Sequence, residues 1–134
     1  MLPPEAVTAA RAVLAALRDR PDAPSLAEAC RAAESLLADG TGPPVRFVGW
    51  RTQAQSDGDE EFWEQSLMWE MHLSPARLEL RSYVNHASVR GARQSDETTY
   101  RSDSDTAQLS ALTTQIASEA HQPDSSVSAK LGDP

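Results

Sequence analysis

The chain has 134 residues, 40% of them hydrophobic, so it is long enough to form one domain with a buried core. Its 20 acidic and 12 basic residues give a net charge of -8, which disfavours nucleic acid and anionic membranes as partners and favours basic protein surfaces. The single cysteine excludes an intramolecular disulfide, and no apolar stretch approaches the ~18 residues of a membrane-spanning helix. We therefore predict a single-domain cytoplasmic protein.

The N-terminal segment predicts a helical hairpin. One apolar stripe at helical spacing follows Pro3 and Pro4, which are tolerated in the first turn of a helix, and a second stripe ends at Asp39 and Gly40. The stripes consist of Val7, Ala10, Val13, Leu14 and Leu17, then of Leu26, Ala29, Cys30, Ala33, Leu36 and Leu37. Cys30 lies within the second stripe, so we expect a buried small side chain there instead of a reactive thiol.

After the helices the hydrophobic period changes to two and predicts four strands, at residues 45–53, 62–73, 78–89 and 94–101. Short turns between them indicate an antiparallel meander. The pair Asp57 and Gly58 is typical of a two-residue hairpin turn and would set Phe47 opposite Met68 and Val48 opposite Leu67.

The second hairpin has an independent register. Pro75 suits the second position of a type I turn, which sets Ser74 opposite Arg77 and, further along, Glu70 opposite Arg81. A register two residues away would instead place two glutamates opposite each other, which is unfavourable.

Together the two registers sort the side chains onto two faces, because residues opposite one another share a face. The predicted core face, against the helical hairpin, consists of Val48, Leu67, Trp69, Met71, Leu73, Leu78, Leu80 and Val84. The other face carries a row of Phe47, Met68 and Tyr83, which Arg81 and Glu70 flank.

A narrow third stripe of Leu109, Leu112, Ile116 and Ala120 predicts a C-terminal helix. Polar residues, Gly and Pro then dominate, so we expect one domain at residues 1–122 and a flexible tail at 123–134. The predicted fold is α+β, with an N-terminal helical hairpin, a four-stranded antiparallel meander sheet and a C-terminal helix in two or three layers. That last helix would either cover the Phe47 row or leave it open.

No residue cluster has the spacing that catalysis, nucleotide binding or metal binding requires, so we predict no enzyme activity, cofactor or metal. His72 would face Glu79, which is typical of a surface pair, and His121 would end a helix, where its charge is favourable. Of the three histidines, only His86 lies where a role in a ligand pocket is an alternative to a structural role.

The row of Phe47, Met68 and Tyr83, rimmed by Arg81 and Glu70, indicates an interface, because a sheet face without helices needs no large apolar side chains. We therefore predict a small acidic accessory protein that binds another protein, with a basic surface, or a second copy of itself. Immunity proteins, antitoxins and secretion chaperones share this general profile.

A second hypothesis is a small-ligand pocket or minor enzyme. Its site would lie between the sheet and the helical hairpin and would use Trp50, Trp63, His86 and Gln65. Convergence of these side chains on one cavity would favour it.

Overall fold

A computed structural model describes residues 2–56, 62–104 and 108–132, and it confirms the α+β class. The described helices are α1 Pro4–Arg18, α2 Ala23–Asp39 and α3 Leu109–His121. The described strands are β1 Val45–Ser56, β2 Trp63–Leu73, β3 Leu78–Ser88, β4 Gly91–Arg101 and β5 Ser126–Leu131.

The two N-terminal helices form where the apolar stripes predict them. α1 begins directly after Pro3, with proline in its first turn, and Gly40, whose left-handed backbone (φ 73°) suits glycine, caps the end of α2. Cys30 is buried in the core, and burial raises the pKa of its thiol. This environment fits a packing role.

Over the described residues, the sheet has five antiparallel strands in the order β4-β3-β2-β1-β5. β5 pairs with β1 from Ser126 to Leu131, so the prediction of a flexible tail at 123–134 is wrong for this segment, and the domain extends beyond residue 122. The backbone N–H of Gly132 also donates to the carbonyl of Pro44 at 2.8 Å. Pairing with β1 supplies hydrogen bonds that local composition does not reveal.

The β2–β3 register is confirmed. Glu70 lies opposite Arg81 and Met68 opposite Tyr83. In the turn, the backbone N–H of Ser74 donates to the carbonyl of Arg77 at 2.9 Å. The proline turn therefore determines this hairpin, as predicted.

The predicted β1–β2 register is wrong by three residues. Phe47 lies opposite Met71, not opposite Met68, and Val48 lies opposite Glu70. An odd shift moves every side chain of a strand to the other face. The predicted turn residues, Asp57 and Gly58, lie outside the described residues.

All three described helices pack against one face of the sheet, which we call the inner face. Of the predicted core face, Trp69, Met71, Leu73, Leu78 and Leu80 are fully buried there, together with Phe47. Val48 lies on the opposite face, and Leu67 and Val84 are only partly buried. The molecule therefore has two layers.

α3 belongs to the helical layer. Its buried residues, Leu112, Ile116 and Ala120, join the same core as α1 and the inner face. Arg51, an inner-face residue of β1, also forms a two-point ion pair with Glu119 of α3, with both distances 3.0 Å. The alternative in which this helix covers the opposite face is wrong.

Two contacts fix the helical layer and β1 in place. The guanidinium of Arg20 donates to the carbonyl of Ala120 at 2.9 Å and to the hydroxyl and carbonyl of Ser125, so it connects the helical hairpin to the end of α3. On the inner face, the indole of Trp69 lies so close to Gly49 that any side chain at that position would overlap the ring.

Candidate functional site

The face of the sheet opposite the helices, which we call the outer face, carries no helix from the described part of the chain. Alternation along the strands places the following side chains on it: Arg46, Val48, Trp50, Met68, Glu70, His72, Glu79, Arg81, Tyr83, Thr99, Arg101, Ser128 and Lys130.

Apolar side chains form a patch in the middle of the outer face. Trp50 lies opposite Met68, which in turn lies opposite Tyr83, so the three form one row across β1, β2 and β3. Trp50 is 39% exposed and Met68 partly exposed, whereas Tyr83 is buried among its neighbours. An exposed tryptophan in a row of apolar side chains is typical of an interaction surface.

A hydrogen-bonded network around Glu70 borders this patch. The hydroxyl of Tyr83 donates to one carboxylate oxygen of Glu70 at 2.6 Å, and Nε2 of His72 lies 2.7 Å from the other. Arg81 approaches the same carboxylate at 3.6 Å, pairs with Glu97, and stacks 4.8 Å from the centre of the Tyr83 ring. These contacts fix the orientation of the side chains before any partner arrives.

The network changes the pKa values of its members. Burial opposes ionisation of Glu70, but the hydrogen bonds from Tyr83 and His72, together with Arg81, outweigh it and lower the pKa of Glu70. Burial and the contact with the Glu70 carboxylate raise the pKa of Tyr83 to about 12. At neutral pH the pair is therefore an ionised carboxylate that accepts from a neutral phenol.

Several charged side chains on the outer face form ion pairs. Arg101 pairs with Glu79 at 2.7 Å, and Arg81 pairs with both Glu97 and Glu70. His72, which lies opposite Glu79, bonds instead to Glu70 on its own strand. A surface of this kind offers apolar contact and oriented ion pairs, a combination that suits protein recognition.

The structure brings together four of the five residues predicted to bind a partner. Met68, Tyr83, Arg81 and Glu70 share the outer face, but Phe47 is completely buried on the inner face. Trp50 occupies the place predicted for Phe47. This exchange follows from the three-residue register shift, because Trp50 now lies opposite Met68, the neighbour predicted for Phe47.

The residues of the predicted pocket do not converge. Trp50 lies on the outer face, whereas Trp63, Gln65 and His86 lie on the other side of the sheet. Trp63 and His86 border a groove of about 430 Å³ near the β3–β4 turn, and Nε2 of His86 lies 2.9 Å from the hydroxyl oxygen of Ser95. This groove does not lie between the sheet and the helical hairpin.

Comparisons with known proteins yield no matching family model, no match among curated proteins and no match among solved structures. Over the described ranges, no group of three or more His, Cys, Asp and Glu residues is arranged to hold a metal ion. No helix in those ranges is long and apolar enough to cross a membrane.

Proposed function

We propose that this chain is a small acidic accessory protein that binds another protein through the outer face of its sheet and has no catalysis of its own. Its role would be of the kind that immunity proteins, antitoxins and secretion chaperones perform. The observation that carries the proposal is the row of Trp50, Met68 and Tyr83 on a sheet face that no described helix covers. Tryptophan, tyrosine and arginine are the residues that most often dominate binding energy at interfaces.

The charge distribution supports two separate roles in association. The net charge of -8 would steer a partner with a basic surface towards the protein over long range. The outer face itself carries matched ion pairs, so close contact there would depend on the apolar row and on the fixed orientation of Arg81. Salt is then expected to slow association more than it weakens the bound complex.

The state of the Glu70 network suits a binding role. Both carboxylate oxygens of Glu70 are engaged, by Tyr83 and by His72, and the side chain is only 12% exposed. A general base must be within reach of a substrate proton, whereas these oxygens are held by neighbours. The network is better suited to holding a recognition surface rigid, which lowers the entropy lost on binding.

The experiment that tests the proposal compares two tryptophans of nearly equal exposure on opposite sides of the sheet. Trp50 is 39% exposed and Trp63 is 41% exposed, so Trp50→Asp and Trp63→Asp are matched substitutions. Each variant and the wild type, checked for folding by circular dichroism, is used for affinity capture from the native host. The captured protein is then purified and its dissociation constant measured with each of the three.

We expect one stoichiometric partner that binds the wild type and Trp63→Asp and binds Trp50→Asp at least about 30-fold more weakly, as for a hot-spot residue. Sedimentation of the wild type tests whether a second copy of the chain is that partner. Equal binding by all three proteins, or no partner and no self-association, would contradict the proposal.

A further inference from the structure

We propose that the groove between α1 and α3 binds a small primary amine with an apolar body. The two helices lie side by side in the helical layer, and the groove between them reaches the end of β4. Its volume of about 660 Å³ falls in the range of about 300–1,000 Å³ that is usual for ligand pockets. It lies on the helical side of the sheet, so it is separate from the outer face and does not depend on the proposed partner surface.

Apolar groups form much of the groove. Four apolar residues line it from the two helices: Pro3, Ala9, Ala12 and Leu109. Thr113 and Thr114 also border it, but their hydroxyls already donate to backbone carbonyls of α3, at 2.7 and 3.0 Å. A lining of this kind favours a ligand with an apolar body and leaves recognition of its polar group to few side chains.

Tyr100 brings an unpaired hydroxyl to the groove. It lies opposite Leu80 on the inner face and is only 5% exposed, yet it lines the groove. Its hydroxyl forms no hydrogen bond with any described residue, whereas that of Tyr83 donates to Glu70 at 2.6 Å. Because polar groups at such low exposure usually have a partner, this phenol has hydrogen-bonding capacity left for a ligand.

Glu5 supplies a carboxylate beside this phenol. It lies in the first turn of α1, lines the groove and, over the described ranges, forms no hydrogen bond or ion pair. Burial and then the nearby Glu5 raise the pKa of Tyr100, so the phenol is neutral at physiological pH. The carboxylate and the phenol oxygen both accept hydrogen bonds, and the N–H groups of one ammonium can donate to both.

The charge of the lining favours a cation. Among the described lining residues none is Arg, Lys or His, and Glu5 is the charged one. Residues 105–107, which follow the lining residue Ser104 and lie outside the described ranges, include no basic residue and so do not reverse this sign. Pro3 and Pro4 lack backbone N–H groups, so the start of α1 offers few donors to an anion. The net charge of -8 acts in the same direction.

The test compares probes that share one apolar body and differ in the charge of the head group. Phenethylamine is a cation at neutral pH, phenethyl alcohol is neutral and phenylacetate is an anion. Hexylamine carries the ammonium on an aliphatic body. Each is titrated into nitrogen-labelled protein, and the backbone signals of Ala9, Ala12 and Leu109 report on the groove. The signals of Trp50 and Met68, on the outer face, are internal controls.

We expect phenethylamine to shift the groove signals saturably and to leave the control signals in place. Phenethyl alcohol and phenylacetate should bind at least about tenfold more weakly, because they lack the charged donor. Glu5→Gln should weaken binding of the amine at least about tenfold and Tyr100→Phe about fivefold. The matched changes Glu28→Gln, an exposed glutamate of α2 away from the groove, and Tyr83→Phe on the outer face should leave it unchanged.

Three results would overturn the proposal. The first is an absence of saturable shifts with both amines. The second is binding of phenethyl alcohol or phenylacetate as tight as that of the amine, which would indicate a neutral or anionic ligand instead. The third is an equal loss in Glu5→Gln and Glu28→Gln, which would mean that the overall charge attracts the amine without a defined site. None of these measurements uses the partner of the outer face, so failure here and failure of the proposed function are distinguishable.

Discussion

The inner and outer faces of the sheet accommodate buried polar groups in different ways. The part of the inner face that the helices cover is largely apolar, and the indole N–H of Trp69 is buried there without a hydrogen-bond partner in the described structure. The outer face is open, yet it holds the Glu70 carboxylate at 12% exposure with a donor on each oxygen. A polar group is tolerated at low exposure when all its hydrogen bonds are made. An unpaired polar group is tolerated only where apolar packing compensates for the cost of its desolvation.

The largest expected difference between the faces comes from two aromatic residues of β1. Phe47 is fully buried on the inner face, and Trp50 is 39% exposed on the outer face. We expect Phe47→Ala to lower the free energy of unfolding by about 4 kcal/mol and Trp50→Ala by less than about 1 kcal/mol. Urea denaturation of both variants measures this, and similar losses would mean that the register of β1 is not the one described.

The next effect concerns the close approach on the inner face. A methyl group at Gly49 would overlap the indole of Trp69, so Gly49→Ala should destabilise the protein by about 3 kcal/mol. In a Trp69→Leu background the ring is absent, and the same substitution should cost much less. Thermal denaturation of the four proteins forms a double-mutant cycle, and a coupling energy near zero would contradict this packing.

A smaller effect is expected on the outer face. Tyr83→Phe removes the donor to Glu70 and should lower the free energy of unfolding by about 1–2 kcal/mol at neutral pH. The pKa of Glu70 lies below its usual value, so its contribution is present above the ordinary pKa of 4.5 and is lost as pH falls through the folded-state pKa. The variant should therefore lose part of this acid sensitivity, and urea denaturation at neutral and at acidic pH checks it.

The turns between the strands explain which parts of the fold the sequence predicts. The β2–β3 register follows from one proline turn, and it placed Met68, Tyr83, Glu70 and Arg81 together correctly. The predicted β1–β2 register depended on a two-residue turn. Ser56 instead pairs with Trp63, so the connection between the strands is longer. In addition, β1 is irregular between Thr52 and Ala54. A local turn signal does not indicate a bulge elsewhere in the strand.

The remaining misses arise from non-local contacts. β5 has only six residues, and its pairing partner β1 lies far away in the chain, so composition alone suggested a tail. Trp50 and Phe47 exchanged faces for the same reason, since alternation assigns a face only once the register is known. The groove between α1 and α3 combines residues from distant parts of the chain, so no local pattern indicates that Glu5 and Tyr100 line it together.

The last expected effect is the alkaline titration of the outer face. Burial and the Glu70 carboxylate raise the pKa of Tyr83 from 10.0 to about 12, so the unfolded chain loses this proton at lower pH than the folded protein. The stabilisation is thus complete below about pH 10 and declines as pH rises through the folded-state pKa of about 12. The pKa of the other tyrosine, Tyr100, is also raised, first by burial and then by Glu5, so phenolate absorbance of the wild type should show both residues titrating late. In Tyr83→Phe the step near pH 12 should disappear while that of Tyr100 remains, and a wild-type step at the ordinary value would contradict the Tyr83–Glu70 contact.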